Sequence, residues 1–202
     1  MKFVLASQNV HKQRELQAVL APYGVELLLQ RDLGVQIDVD ETGATFAENA
    51  RLKADAVLHA TGLAAIADDS GLMVDALGGA PGVYSARYGA PACKTDADRN
   101  EKLLAALQGV PDEARTARFV CALCCALPDG RRIEAEGTCP GVITRALHGD
   151  AGFGYDPLFY IPSQGKTFAQ LDAATKNALS HRGRAIQEFM KQLQKELPYA
   201  DK

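Results

Sequence analysis

The chain has 202 residues, 47% of them hydrophobic, and a formal net charge of −3 at pH 7. This length and composition allow a substantial buried core in one domain, or in one domain with two lobes. The slight acidic balance argues against a protein that wraps nucleic acid, because binding to the phosphate backbone usually leaves a basic excess. Any phosphate chemistry should therefore rely on a few placed cations.

The sequence also favours a particular compartment. No segment approaches the ~18 consecutive apolar residues of a membrane span, and the opening apolar run, residues 3–6, is too short for a secretory signal. The five cysteines form no even-numbered framework for disulfides. We therefore expect free thiols and a cytoplasmic protein that has no membrane partner.

The first predicted unit is a strand, a loop and a helix. Residues 3–6 read as a short buried strand, and after a polar turn at 7–9 the apolar residues recur at helical spacing until Pro22. Lys12 lies in the first turn of this helix, where free backbone N–H groups and the positive end of the helix dipole favour phosphate. The alternative is a lysine on a solvated helix face.

The next elements place a second lysine on an inward face. Residues 25–29 predict a strand, an acidic loop follows, and residues 45–59 predict a helix. A helical wheel puts Lys53 on the same face as Asn49 and the apolar residues of this helix. A buried lysine is costly unless it is paired or lines a polar cleft, so both side chains become candidates for ligand contact. Alternatively, the lysine stem extends out to water.

Two adjacent carboxylates follow the third predicted strand, residues 63–67. Ligands bind at the carboxyl ends of strands in open α/β sheets, so Asp68 and Asp69 predict a site there. Mg²⁺ suits such oxygen ligands, Asp40 and Glu41 from the preceding loop would complete its site, and the other carboxylate would act as general base on water. The alternative is a capped turn in which Asp69 or Ser70 satisfies neighbouring backbone N–H groups.

The second half of the chain reads as a helix capped by Thr95, a strand pair at 119–127 and 133–138, and an amphipathic terminal helix around residues 186–193. The cysteines of Cys121-x-x-Cys124 lie inside the first of these strands, and we interpret them as core. Phe153 and Tyr155 alternate with glycines in a loop, where they offer faces for stacking a base or simply pack beneath the loop.

Several separate stretches occur together in the order that a known enzyme family shows. They are Ser7-Gln8-Asn9-Val10-His11-Lys12, Ala67-Asp68-Asp69-Ser70-Gly71-Leu72 and Leu179-Ser180-His181-Arg182, together with residues 41–43, 46–54, 78–82, 84–87, 152–157 and Lys176. By these motifs the chain resembles the inosine/xanthosine triphosphate pyrophosphatases, which hydrolyse deaminated purine nucleoside triphosphates. The resemblance runs from Lys2 to the final helix.

This resemblance implies an α/β fold in which a long mixed β-sheet is flanked by helices, with two lobes around a nucleotide-binding cleft, in one domain over residues 1–202. It also implies a Mg²⁺-dependent enzyme, usually a homodimer, that converts ITP, dITP and XTP to the monophosphate and pyrophosphate. Such an enzyme keeps deaminated purines out of DNA and RNA. Its partner is therefore a purine nucleoside triphosphate and not a nucleic acid.

The family's functional positions carry over to residues of this chain. Asp69 takes the position of the general base and a metal ligand, and either Asp40 or Glu41 would supply a second metal ligand. The substrate-binding positions fall on Ser7, Gln8, Asn9, Val10, His11, Lys12, Lys53, Ser70, Phe153, Gly154, Tyr155, Asp156, Lys176, His181 and Arg182. One departure is Ser7-Gln8, where many members carry Thr-Gly, so the hydroxyl is kept and a larger side chain replaces glycine.

The hydrogen-bonding groups of the purine base suggest which side chains recognise it. Hypoxanthine and xanthine present a 6-oxo acceptor and an N1–H donor, so we expect Arg182, with His181, to donate toward O6, and Asp156 or a nearby backbone carbonyl to face N1. Two alternatives remain: a related pyrophosphatase with another base preference, such as pyrimidine triphosphates, and a nucleotide-binding sensor without turnover. When viewed alone, Ser180-His181-Arg182 also reads as a helix cap followed by surface charge.

Overall fold

The computed structural model describes residues 1–196 and has an α/β fold with a seven-stranded mixed sheet. The strand order is β2-β1-β3-β4-β5-β6-β7. Strand β1 pairs in parallel with β2 and β3, and β6 pairs antiparallel with β5 and β7. The strands are β1 Lys2–Leu5, β2 Glu26–Leu29, β3 Ala65–Val74, β4 Thr116–Ala126, β5 Arg132–Ile143, β6 Phe159–Ile161 and β7 Lys166–Thr167. The predicted fold class is confirmed.

Within residues 1–196 three α-helices lie between the first four strands, and two more follow β7: α1 Val10–Leu20, α2 Phe46–Thr61, α3 Asp96–Ala106, α4 Ala173–Leu179 and α5 His181–Glu196. Short 3-10 helices occupy Ala21–Tyr23, Gln30–Leu33, Asp75–Leu77, Gly82–Arg87, Asp112–Ala114 and Phe168–Gln170. Helix α4 was not predicted, because seven residues are too few to show a helical period. None of the helices in residues 1–196 combines the length and apolar character needed to cross a membrane.

The contacts divide the chain into two compact units. Unit 1 contains residues 1–69, 121–137 and the segment that starts at His181. In its core, α1 packs against α5, and the ring of Phe3 meets that of Phe189 edge-on with centroids 6.4 Å apart. Each large apolar side chain buried here contributes about 1.5–3 kcal/mol. The predicted amphipathic helix is confirmed by its buried residues Ile186, Phe189, Met190 and Leu193.

Two cysteines belong to the core of unit 1, as the sequence predicts for this strand. Cys121 and Cys125 lie in β4 within the apolar cluster of this unit, and Cys124 is also buried. Burial raises the pKa of all three thiols to about 12. They therefore remain protonated at neutral pH and pack as small apolar side chains.

Unit 2 contains residues 70–120 and 138–180 and has a separate aromatic core. The rings of Phe119 and Phe159 lie 4.6 Å apart between centroids, and Phe168 lies 5.8 Å and 5.0 Å from them. Helix α3 covers this core with Leu103. Its start is fixed by a capping box, since Thr95 Oγ1 accepts from the Asp98 N–H and the Asp98 carboxylate accepts from the Thr95 N–H.

Two predicted strands prove longer than their sequence patterns indicate. Strand β3 continues to Val74, so Asp68 and Asp69 lie inside a strand and do not follow its end. The alternative of a capped turn at Asp69 or Ser70 is therefore wrong, because both residues lie within this strand. The strand tolerates two buried carboxylates because cationic side chains pair with both of them. Strand β5 likewise extends to Ile143, beyond the predicted end at Thr138.

Candidate active site

One group of charges in unit 1 centres on Lys53, which α2 carries toward β3. Its Nζ lies 2.6 Å from Glu41 Oε1 and 3.2 Å from Asp69 Oδ1. The lysine side chain is only 13% exposed, so the prediction of an inward lysine is confirmed and its extension to water is wrong. Burial opposes the charged form of Lys53, but Asp69, Asp68 and Glu41 raise its pKa overall. Lys53 is therefore a fixed ammonium group held between two carboxylates.

Asn49 completes the support of Asp69 from the same helix. Its Nδ2 donates to Asp69 Oδ2 over 3.1 Å, and its Oδ1 accepts from the Gly43 N–H over 2.8 Å. A Cβ added to Gly43 would lie 2.7 Å from that Oδ1, so only glycine permits this close approach. Burial raises the pKa of Asp69, and Lys53 offsets this effect only in part. A carboxylate with a raised pKa is a stronger base than an ordinary aspartate.

The donor chemistry beside Asp69 fits a magnesium ion. Within residues 1–196, no three His, Cys, Asp or Glu side chains form a set that could hold a metal ion. Glu41 and Asp69 nevertheless contact the same ammonium, so two carboxylates already surround one positive charge. Mg²⁺ often takes one or two protein carboxylates and completes its shell with water and phosphate oxygens. Of the two candidates in the acidic loop, Asp40 is exposed and Glu41 contacts Lys53.

A second group of charges in unit 1 centres on Asp68, which is 1% exposed. Its Oδ2 lies 3.2 Å from Lys12 Nζ and 3.2 Å from Arg182 Nη2. The guanidinium of Arg182 also donates to Glu15 through Nη1. Burial opposes ionisation of Asp68, but Lys12 and Arg182 hold the pKa of its carboxyl well below the usual range. Asp68 therefore remains an anion that ties two cations together.

These contacts settle two of the alternatives raised by the sequence. The Lys12 side chain is 16% exposed and pairs with Asp68, so it does not lie on a solvated helix face. Arg182 is 3% exposed, so the reading of this segment as surface charge is wrong. His181 and Arg182 form the first turn of α5, and both are buried. A Cβ on Gly137 would lie 2.2 Å from the His181 carbonyl oxygen, so glycine lets β5 approach this turn.

The predicted phosphate loop is organised by its own side chains. Asn9 Oδ1 accepts from the N–H groups of His11 and Lys12 and so caps α1, and Ser7 Oγ accepts from the Asn9 N–H. Gln8 and Val10 are exposed at the surface of this loop. Two of the backbone N–H groups that the sequence predicts to contact phosphate are therefore already bonded to the Asn9 side chain. The ammonium of Lys12 and the exposed loop backbone remain the candidates for phosphate contact.

A cavity of about 420 Å³ lies beside this loop within unit 1. Side chains that follow β1 and β2 contribute to its wall, so it lies near the carboxyl ends of two parallel strands. The Gln13 side chain holds the loop in place, because its Nε2 donates to the Ser7 carbonyl over 3.0 Å. The polar residues of the wall are Ser7, Gln8, Gln13, Gln30, Arg31 and Gln36.

The glycine-rich loop of unit 2 is built around Asp156. Its Oδ2 accepts from the Phe153 N–H over 3.0 Å and lies 2.7 Å from Lys176 Nζ. The same ammonium sits 5.1 Å from the centroid of the Phe153 ring, a cation–π distance. A Cβ on Gly152 would lie 2.1 Å from Asp156 Oδ2, so this glycine leaves room for the carboxylate. Lys176 is therefore a buried cation that orders both Asp156 and Phe153.

The other predicted residues of unit 2 have different surroundings. Tyr155 is 4% exposed in the aromatic core, and its hydroxyl donates to the Ser85 carbonyl over 2.9 Å. For this ring the packing alternative is confirmed, and Phe153, which is half-buried, remains the candidate for stacking. Ser70 directly follows Asp69 and is half-buried, and Gly154 adopts a φ of 61° in the left-handed region that suits glycine.

Sequence reasoning assigned no role to Glu15, and it considered Asp68 as a metal ligand or general base and not as the partner of two cations. Glu15 pairs with Arg182 across 167 residues of sequence. A signal was present, because Lys12 and Glu15 are three residues apart and therefore share one face of α1. That spacing indicates a shared face, but it does not identify Arg182 as the partner.

Comparison with known proteins identifies the family. A model of the Ham1 family matches residues 3–192, nearly the whole chain. The chain belongs to the Ham1 family. Proteins named dITP/XTP pyrophosphatase from Desulforamulus reducens and Thermus thermophilus are 52% and 53% identical to this Ham1 protein. The alignments cover 94% of this chain in both cases, and 94% and 90% of the respective relatives.

A solved Ham1 structure supports the same conclusion. The HAM1 protein from Coxiella burnetii matches this Ham1 protein with a TM-score of 0.87 and 42% identity, covering 96% of this chain and 99% of that chain. The resemblance that the motifs predict is therefore confirmed for both sequence and fold.

Proposed function

We propose that this Ham1 protein hydrolyses the deaminated purine nucleoside triphosphates ITP, dITP and XTP to the monophosphate and pyrophosphate. Such an activity removes these nucleotides from the pool before polymerases incorporate them into DNA or RNA. The observation that carries the proposal is the 52–53% identity to dITP/XTP pyrophosphatases across 94% of the chain. The charged groups around Asp68 and Asp69 supply the chemistry that the reaction requires.

Asp69 is the proposed general base. It would accept a proton from water as the water oxygen attacks the α-phosphorus, and the bond between that phosphorus and the bridging oxygen to the β-phosphate would break. The two neighbouring aspartates have pKa values shifted in opposite directions, which is typical of a pair with different roles. Asp69 is the member suited to take a proton, and Asp68 the member suited to hold cations.

Two lysines are the proposed stabilisers of phosphate charge. Lys53 lies beside Asp69, and Lys12 lies in the first turn of α1 beside Asp68. Both ammonium groups are held by carboxylates, so they need little reorganisation when negative charge develops on the departing pyrophosphate. The phosphate contacts of Ser7, Gln8, Asn9, Val10 and His11 are proposed from the family resemblance.

A magnesium ion is the proposed cofactor. Asp69 and Glu41 would hold it, which the shared contact with Lys53 supports over Asp40. When bound, Mg²⁺ would neutralise phosphate charge and lower the pKa of a coordinated water. We also propose, from the family resemblance, that the protein acts as a cytoplasmic homodimer.

Base recognition is proposed to involve the loop from Phe153 to Asp156 together with His181 and Arg182. Phe153 would stack on the purine, and the donors of the histidine and arginine would face its 6-oxo group. An adenine base presents a 6-amino donor there and leaves buried donors unpaired, with a penalty of about 1–3 kcal/mol for each mismatch. Ser70 and Lys176 complete the proposed contacts with the nucleotide.

The test is a chromatographic assay of purified protein with Mg²⁺ and equal concentrations of ITP, dITP, XTP, GTP, ATP and dTTP. We expect monophosphate and pyrophosphate from the first three substrates, and loss of turnover when EDTA removes the metal. Selective turnover of dTTP would instead indicate a pyrimidine nucleotide pyrophosphatase. Binding without turnover of any of the six would indicate a nucleotide sensor.

A further inference from the structure

Helix α3 of unit 2 holds one peptide of the glycine-rich loop from both sides. Asp96 Oδ2 accepts from the Gly154 N–H over 2.7 Å, and Asn100 Nδ2 donates to the Gly154 carbonyl over 3.0 Å. The two side chains are four residues apart and therefore lie on one face of the helix. Both backbone polar groups of Gly154 are thus fixed by a helix more than 50 residues away in sequence.

The helix provides a rigid support for these contacts. Thr95 and Asp98 cap its first turn, and Leu103 anchors it in the aromatic core. Asp96 is itself oriented, because its second oxygen pairs with Arg99. Groups that are mounted on a packed helix and held by further bonds position a loop more accurately than the loop could by itself.

Gly154 directly follows Phe153, the residue proposed to stack on the base. The Phe153 N–H is held by Asp156. Gly154 has a φ of 61°, and nothing lies within 4 Å of the place where a Cβ would stand. Asp156 thus holds the backbone N–H of Phe153, and the hydrogen bonds from α3 hold the Gly154 peptide that follows it.

The surroundings of Asn100 indicate that its hydrogen bond to Gly154 has a role other than stabilising the fold. The residue is 4% exposed, and within residues 1–196 its Oδ1 has no hydrogen-bond partner. A buried unpaired oxygen is destabilising, and an apolar side chain at this position would avoid that penalty. The amide nitrogen of Asn100 donates to the Gly154 carbonyl. Positioning of Gly154 is thus the role that the structure leaves for this side chain.

We propose that Asp96 and Asn100 are positioning residues that set base specificity by fixing the Gly154 peptide and, through it, the Phe153 ring. This inference rests on the proposed function, in which Phe153 stacks on the purine. Once the peptide is released, the ring no longer holds the purine in the one position in which the proposed donors face its 6-oxo group. Discrimination between hypoxanthine and adenine therefore declines while the groups around Asp69 stay intact.

The test compares Asp96→Ala, Asn100→Ala and Asp96→Asn with the matched control Glu101→Ala. Glu101 is an exposed carboxylate on the same helix. We expect each of the first two variants to lower the ratio of kcat/KM for dITP to that for dATP roughly tenfold, mainly through a higher KM for dITP. Asp96→Asn keeps an acceptor and should restore most of the ratio. Glu101→Ala should leave both Tm and the ratio nearly unchanged.

Amide hydrogen exchange at Gly154 provides a readout that does not depend on turnover. Faster exchange in Asp96→Ala, together with the lost discrimination, supports the proposal. Variants that keep the wild-type ratio overturn it and leave the proposed reaction intact. If the wild-type protein turns over no triphosphate, the proposed function fails instead. The ratio of Kd values for dIMP and dAMP in the same proteins then decides the inference, since an unchanged ratio overturns it and a reduced one supports it.

Discussion

Replacing Asp68 with asparagine tests the central electrostatic claim about unit 1. The substitution keeps the shape of the side chain but removes the negative charge that Lys12 and Arg182 share at 3.2 Å. Removing one partner from a buried charge group typically costs about 3–5 kcal/mol, because the remaining charges stay buried without compensation. A domain of this size loses about 2–4 °C of Tm for each kcal/mol, so we expect Tm to fall by about 6–20 °C.

The assay is thermal unfolding followed by circular dichroism, with Asp55→Asn as the matched control. Asp55 pairs with Arg132 at 2.9 Å, but both side chains are 40% or more exposed. Removing that exposed pair should cost less than about 1 kcal/mol. A Tm for Asp68→Asn that falls no further than the Tm of the control would refute the claim that Asp68 compensates buried cations.

The pH dependence of stability provides a second test of the charge on Asp68. The folded state holds the pKa of Asp68 below its ordinary value, so the stability that its charge contributes is fully present above about pH 4 and is lost as pH falls through the folded pKa. The deficit of Asp68→Asn relative to wild type should therefore be largest near neutral pH and shrink in acid. A deficit that is equally large at pH 3 and pH 7 would point to packing and not to charge.

Three further changes test other parts of the site. Asp69→Asn should lower kcat by about 10²–10⁴-fold in a protein that still folds, because Lys53 keeps its pair with Glu41, and near-full turnover in a folded variant would remove Asp69 from the role of base. Lys53→Met should move the acid limb of the pH profile of kcat/KM to higher pH, because Lys53 lowers the pKa of Asp69, which must be ionised to act as a base. A pH–rate profile measures this shift, and an acid limb at the same pH as in the wild type would contradict the expectation. Gly137→Ala should lower the free energy of unfolding in urea by about 1–3 kcal/mol or more, since the added Cβ would stand 2.2 Å from the His181 carbonyl oxygen. The control Glu136→Ala changes an exposed neighbour in β5 and should be nearly neutral, and equal effects of the two substitutions would show that the close approach is unimportant.

The sequence by itself determined what depends on nearby residues. The inward position of Lys53 follows from the 3.6-residue period of α2, and the start of α3 follows from Thr95 and Asp98. The family followed from separate motifs in the right order, and with it the fold class. These predictions succeeded because period, capping and motif order are properties of the chain that need no knowledge of distant contacts.

The tertiary structure decided which of these residues meet. Arg182 reads locally as a charge beside a helix cap, yet it is buried against Asp68, 114 residues away, and Glu15. The same burial lets β3 continue through two carboxylates that the sequence places at its end. Whether a charge can be buried depends on the free energy of its interaction with its partners, which must offset the cost of removing it from water. In this protein those partners come from β3, α1 and α5, which only the folded chain brings together.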